Sequence, residues 1–149
     1  SRNETPNPRF QFSSDLSEFL AGFPNDPIII AGDINLWLRH PDDNKNFENL
    51  VCRFNLKDIL TRRHGPESEI PTRKAGRRID YILASEVIAD NTTRCGALHY
   101  DRIVDTDHRA LFADINIDEI LGGRPPALSS PALRGIDSTS ADNCKKYIK

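Results

Sequence analysis

Three short clusters of groups able to hold or move charge sit where apolar runs begin or end. Gly32-Asp33-Ile34-Asn35 follows the run Ile28 to Ala31. Arg78-Ile79-Asp80-Tyr81 leads into Ile82 and Leu83, and Thr106-Asp107-His108-Arg109 precedes Ala110, Leu111 and Phe112. Carboxylates, an amide and an imidazole that emerge at the ends of buried strands can converge at one sheet edge, where metal-assisted phosphate chemistry is commonly built. Asp33 and Asn35 are two apart, so extended backbone would point them the same way. Side by side, a carboxylate can hold an attacking water while an amide holds a phosphoryl oxygen. The same spacing also makes an Asx turn that simply ends a strand.

The second cluster places Asp80 inside an apolar strand. An isolated ionised carboxylate there is expensive, so Asp80 needs a partner. That partner is either a neighbouring arginine, Arg77 or Arg78, in a structural pair, or an imidazole that the aspartate orients and charge-stabilises. In the third cluster, Asp107 and His108 are adjacent at a loop-to-strand corner. There they can diverge, the carboxylate toward a divalent cation and the imidazole toward a phosphate, or stay together as a surface pair capping a turn. Oxygen ligands suit Mg²⁺ (or Mn²⁺), which takes one or two carboxylates and keeps waters and substrate oxygens. The segment Thr61 to Arg78 adds Arg62, Arg63, Arg73, Lys74, Arg77 and Arg78. It reads either as a phosphate-tracking loop or, since Glu67 and Glu69 lie within it, as a solvated loop of mixed charge. His40, His64 and His99 have no comparable setting, and Trp37 reads as packing.

The elements that must position these groups follow from the apolar spacing. Ser1 to Phe12 is expected to be an extended lead-in, with Ser13 or Ser14 capping a helix whose stripe is Leu16, Phe19, Leu20 and Phe23. Gly22 and Pro24 end it. Ile28 to Ala31, apolar throughout and β-branched, is expected to be a central strand covered on both faces. A second helix is expected from near Asp43, burying Phe47, Leu50, Val51 and Phe54. Leu56 to Leu60 reads as a short strand or extended segment, and Thr61 to Arg78 as a long loop. Strands are expected at Ile79 to Leu83, Ala97 to Val104 and Ala110 to Ile117, with a helical turn near Ser85 to Ile88. From Gly122 the prolines and serines give a linker composition, with a helix able to start near Cys144.

The bulk numbers narrow the classes. A net charge of −2 over 149 residues offers no global basic field, so any nucleic acid must be met by a local patch. Cys52, Cys95 and Cys144 show no metal-type spacing and read as free thiols of a reducing, intracellular (nuclear or cytoplasmic) compartment. No run is long and apolar enough to span a membrane. There is no methionine, so Ser1 is not a visible start, and the chain is expected to be part of something longer.

Taken in order, Gly-Asp-x-Asn after an apolar strand, Arg-x-Asp-Tyr-x-Leu, and Asp-His-Arg before a closing strand resemble the endonuclease/exonuclease/phosphatase (DNase I-like) superfamily. The resemblance covers roughly Leu16 to Ile117 and matches the C-terminal half of that fold. It implies an α/β sandwich of two packed mixed sheets flanked by helices, with 1–12 as lead-in, 13–118 as a partial domain and 119–149 as linker and tail. It implies Mg²⁺-dependent phosphodiester hydrolysis, foremost endonuclease-type cleavage of nucleic acid. The alternatives are a phosphoinositide or phospholipid phosphoesterase of the same fold, or a catalytically incomplete binding module or remnant.

By the same resemblance Asp33 positions or deprotonates the attacking water and Asn35 binds the scissile phosphate. Asp80 orients His108, which contacts the phosphate, and Asp107 joins the metal site. Thr72, in Pro71-Thr72-Arg73, matches a threonine that members carry, although the aromatic that often follows is Arg73 here. Thr72, Arg73, Lys74, Arg77 and Arg78 are the expected substrate-binding residues. The family's metal-binding glutamate belongs to the N-terminal half; Glu4, beside Pro6, does not match it. An upstream half of the same polypeptide is therefore expected, and the tail suggests a downstream domain, as in retroelement-type endonucleases. Half of such a sandwich would expose an apolar sheet face.

Overall fold

The structure, a computed structural model, describes residues 8–36, 38, 45–66, 70–100 and 105–123. Expectations for Glu4, Trp37, His40, Asp43, Glu67, Glu69, residues 101–104 and the tail from 124, with Cys144, lie outside the described residues. Five helices and five strands follow in the order α1 (Pro8–Ala21), β1 (Ile29–Asp33), α2 (Lys45–Arg53), β2 (Lys57–Asp58), α3 (Ile59–His64), β3 (Asp80–Ala84), α4 (Glu86–Asp90), β4 (Thr92–Ala97), β5 (Leu111–Ile115) and α5 (Ile117–Ile120) among the described residues.

β3 is the organising strand. It lies between β1 and β2 in an antiparallel three-stranded sheet, while β4 and β5 form a separate antiparallel ribbon. Side chains of a strand alternate between faces, and β3 buries both. Tyr81 and Leu83 join Leu20, Leu36, Phe47, Leu50 and Leu56 in one apolar cluster, under α1 and α2. Ile82 and Ala84 join Ile59, Leu60, Ile88, Ala89 and Cys95 in the other, under α3, α4 and the ribbon. Leu83 is only 1% exposed, so truncating it to alanine would cost about 2–5 kcal/mol.

Several expectations change. α1 begins at Pro8, which suits a first helical position because its missing N–H needs no partner. Ser13 is therefore a buried interior residue whose hydroxyl donates to Arg9 O, and residues 8–12 are helical where an extended lead-in is expected. Leu20 is buried as expected, but Phe19 and Phe23 are exposed. Among the described residues β1 is an edge strand of its sheet and Ile29 is 48% exposed, so the strand is not covered on both faces there. α2 buries Phe47 and Leu50 as expected. β2 stops after two residues because Asp58 turns its carboxylate to the N–H of Leu60, capping α3. Four residues of the expected long loop are thus helical. The strand expected from Ala97 instead ends there, with Gly96 packed under the Phe112 ring. Cys52 and Cys95 are free thiols, the first exposed and the second buried; burial pushes the Cys95 thiol pKa up.

Candidate active site

Antiparallel pairing of β1 with β3 sets the first contact. Asp33, the last residue of β1, is the register partner of Asp80, the first of β3. Gly32 adopts φ +150°, a backbone conformation an L side chain rarely takes, and the chain leaves the strand beyond it. Asn35 sits at φ 55°, and its N–H donates to Asp33 Oδ1 at 2.8 Å. The corner is thus an Asx turn, and Asn35 is left-handed, not extended. Asp33 and Asn35 therefore do not share a direction by strand alternation, although both are exposed at the corner.

Two carboxylates directly opposite on a sheet repel. A ligand atom of His108 lies within 4.8 Å of one from each of Asp33 and Asp80. His108 Nδ1 is 3.1 and 3.2 Å from the two Asp80 oxygens. The partner of Asp80 is therefore the imidazole, not Arg77 or Arg78. With Nδ1 engaged, Nε2 is the ring nitrogen left to meet a substrate. The Asp80 side chain is 14% exposed and that of His108 29%, so the pair is sheltered yet reachable.

Thr72 explains how the pair is held. It is fully buried, and its hydroxyl oxygen accepts from the N–H groups of Ile79 and Asp80 at 3.0 and 3.1 Å. Its carbonyl accepts from Arg109 N at 2.7 Å. One residue therefore ties the start of β3 to the residue after His108. Buried in this way, Thr72 touches no solvent.

Arg78 is likewise buried, and its guanidinium donates to Asp58 and Thr61 while lying 4.7 Å from the Tyr81 ring centroid. Tyr81 donates its hydroxyl proton to Arg78 O and accepts from Leu38 N. Arg78 is thus a framework residue of the β2–β3 junction. The terminal nitrogens of Arg78 carry these bonds, while its buried Nε has no hydrogen-bond partner among the described residues. By sequence Asp58 falls in a short strand or extended segment and Tyr81 in a strand; the position of Asp58 just before the apolar Ile59-Leu60 is the signal for its capping role.

Arg73, Lys74 and Arg77 are exposed on the tight turn that follows Thr72. Arg73 and Thr72 both donate backbone N–H to Arg77 O. Arg73 also bridges His108 as an isolated antiparallel pair, and Lys74 N donates to Asp107 O at 2.8 Å. This places the basic turn against the Asp107–His108 corner.

Asp107 lies outside the Asp33–Asp80–His108 group. Arg73 Nε donates to its Oδ2 at 2.9 Å, and Oδ1 stands 3.8 Å from His108 Nε2. The Arg73 hydrogen bond holds the Asp107 carboxyl below its ordinary range, so it is ionised at neutral pH as a metal ligand must be. An exposed, ionised carboxylate of this kind fits a hard cation that shares its shell with water.

No family model and no curated protein matches the sequence. Solved structures do. An AP endonuclease from Archaeoglobus fulgidus superposes with a TM-score of 0.62 at 20% identity, over 72% of this chain and 53% of its own. The 3′ phosphatase NExo from Neisseria, bound to a product DNA hairpin, gives 0.62 at 20% identity, over 76% of this chain and 56% of its own. The AP endonuclease LMAP from Leishmania major gives 0.55 at 18%, over 67% and 41%. This chain thus spans about half the length of each neighbour. Its helices and antiparallel sheets share the fold of the corresponding part of these neighbours.

Proposed function

We infer that this chain supplies the imidazole side of a Mg²⁺-dependent phosphodiesterase centre that acts on nucleic acid. The observation that carries the reading is the Asp80–His108 pair, with Nδ1 within 3.2 Å of both carboxylate oxygens and the Asp33 carboxylate beside it. In this reading Asp80 fixes the imidazole and stabilises its positive charge. Nε2 then faces a phosphoryl oxygen and balances the negative charge that grows there. Asp33 takes a proton from the attacking water as its oxygen bonds to phosphorus and the bond to the leaving oxygen breaks. Asn35 holds a second phosphoryl oxygen. Asp107 is the residue here that would hold Mg²⁺ or Mn²⁺, and such an ion, when bound, supplies Lewis-acid charge stabilisation. Nucleic acid is favoured because the neighbours are named as AP endonucleases and as a phosphatase carrying a DNA hairpin. The exposed Arg73, Lys74 and Arg77 suit a phosphate backbone.

The test is Mg²⁺-dependent nicking of supercoiled DNA by the chain and by a version extended upstream. His108→Ala and Asp33→Ala should each lower the rate by about 10²-fold or more, the scale of a lost acid–base group. A folded, Mg²⁺-binding extended protein that cuts no phosphodiester would refute the reading.

A further inference from the structure

Positive charge gathers at a second place beside the Asp107–His108 corner. The Arg109 guanidinium carbon lies 4.6 Å, and Lys74 Nζ 5.8 Å, from the centroid of the Tyr100 ring. The exposed Arg62, Arg73 and Arg94 each meet an aspartate, respectively Asp90, Asp107 and Asp114. Arg109 differs: among the described residues it has no carboxylate partner, and its buried Nε has no hydrogen-bond acceptor. A guanidinium stacked on an aromatic face is held in place while its terminal N–H groups stay available for an anion.

Backbone bonds fix this cluster to the site. Arg109 directly follows His108, and its N–H donates to Thr72 O at 2.7 Å. Leu98 N donates to Ala110 O at 2.8 Å, which carries the chain leading to Tyr100 alongside. Lys74 N donates to Asp107 O. The cations therefore stand around the corner that bears His108, yet neither belongs to the Asp33–Asp80–His108 group. A ligand with a single phosphate at His108 has no second charge to offer Arg109. A nucleic-acid strand, with phosphates in series, has.

We propose that Arg109, stacked on Tyr100 with Lys74 beside it, anchors a second phosphate of a nucleic-acid strand whose reacting phosphate lies at His108. The assignment rests on His108 being the phosphate contact in the reading above. Arg109 sets where the strand runs, and Tyr100 is a positioning residue that acts through Arg109.

Binding alone tests it, with no cleavage required. The chain is titrated with a fluorescent DNA hairpin in EDTA across a salt series. Arg109→Gln should flatten the slope of log affinity against log salt by about one phosphate contact and weaken binding at low salt. Arg109→Lys should keep the slope, because the charge remains, while losing affinity with the planar fork. Tyr100→Leu should also keep the slope and weaken binding several-fold. If the hairpin binds and Arg109→Gln leaves the slope unchanged, the inference is overturned while the phosphodiesterase reading stands. If inositol hexakisphosphate binds and the hairpin does not, the strand assignment and the nucleic-acid reading fall together. Binding of neither ligand overturns the inference as well.

Discussion

The two sides of the site are built differently. On the imidazole side, Asp80 opens a strand buried on both faces. Around it, Arg78 bonds to Asp58 and Tyr81, while buried Thr72 accepts from the N–H groups of Ile79 and Asp80. On the side where Asp33 is proposed to meet water, Asp33 and Asn35 close a strand that is at the sheet edge among the described residues, exposed, with the turn joined by an Asx hydrogen bond and by Ile34 N to Ile79 O at 2.9 Å. Charge balance by an imidazole depends on fixed orientation, which buried bonds supply. Deprotonating a water needs access, which an exposed corner supplies. The contrast predicts that mutations on the first side act through folding and those on the second through chemistry.

The largest effect should come from splitting the Asp58–Arg78 pair. Asp58→Ala leaves a buried guanidinium without its carboxylate and removes the α3 cap, so it should destabilise by about 3–5 kcal/mol. Urea unfolding measures this. A loss below about 1 kcal/mol, within the range of an exposed pair, would mean that the imidazole side is not held by its buried network.

Thr72 is the next break. Thr72→Val keeps the shape but strips the acceptor from two backbone N–H groups, for a loss of roughly 1–3 kcal/mol. Thr72→Ser keeps the oxygen and should recover most of it. In an extended, active protein, Thr72→Val should lower kcat more than it raises KM if Thr72, fully buried and bonded to the start of β3, acts through the Asp80–His108 pair. A change in KM alone would return Thr72 to the substrate-binding group.

How far this division could be read in the sequence depends on what each residue's type reveals. The Asp80–His108 pair was open to inference because a carboxylate inside an apolar strand demands a partner. Arg78 was not, since a buried arginine and an exposed one look alike in a basic run, and only the β2–β3 pairing brings Asp58 within reach. β1 shows the reverse error. Its β-branched composition matches a covered strand, but exposure is decided by which neighbours pair with it, and only β3 does among the described residues. The strand following α4 was misplaced because Thr92-Thr93-Arg94 looks too polar for one, although its exposed face can carry such residues. Nothing local in the Asp-His-Arg motif announces Tyr100 as the platform of Arg109.

On the exposed side, Asn35 sharpens the contrast. Its φ of 55° suits asparagine or glycine, so Asn35→Ala should cost about 1–2 kcal/mol of stability while Asn35→Gly costs little. If Asn35 binds phosphate, both variants lose activity alike despite their different stabilities. Activity that tracks stability instead would make Asn35 a turn residue only.

The smallest effect separates Asp107 from both sides. Its carboxyl is acidified chiefly by the Arg73 hydrogen bond, and both side chains are about half exposed. Because the folded pKa is depressed, the pair's stabilising contribution is present above the unfolded value of about 3.9. It is lost as pH falls through the folded value. Arg73→Gln should therefore raise the Asp107 pKa seen by NMR and leave the melting point at pH 7 nearly unchanged, since water and salt screen such a pair. High salt should move the wild-type Asp107 in the same direction as the mutation. An Asp107 insensitive to both would show that Arg73 does not set its charge. A large fall in the pH 7 melting point would instead place Asp107 with the buried framework around Asp80.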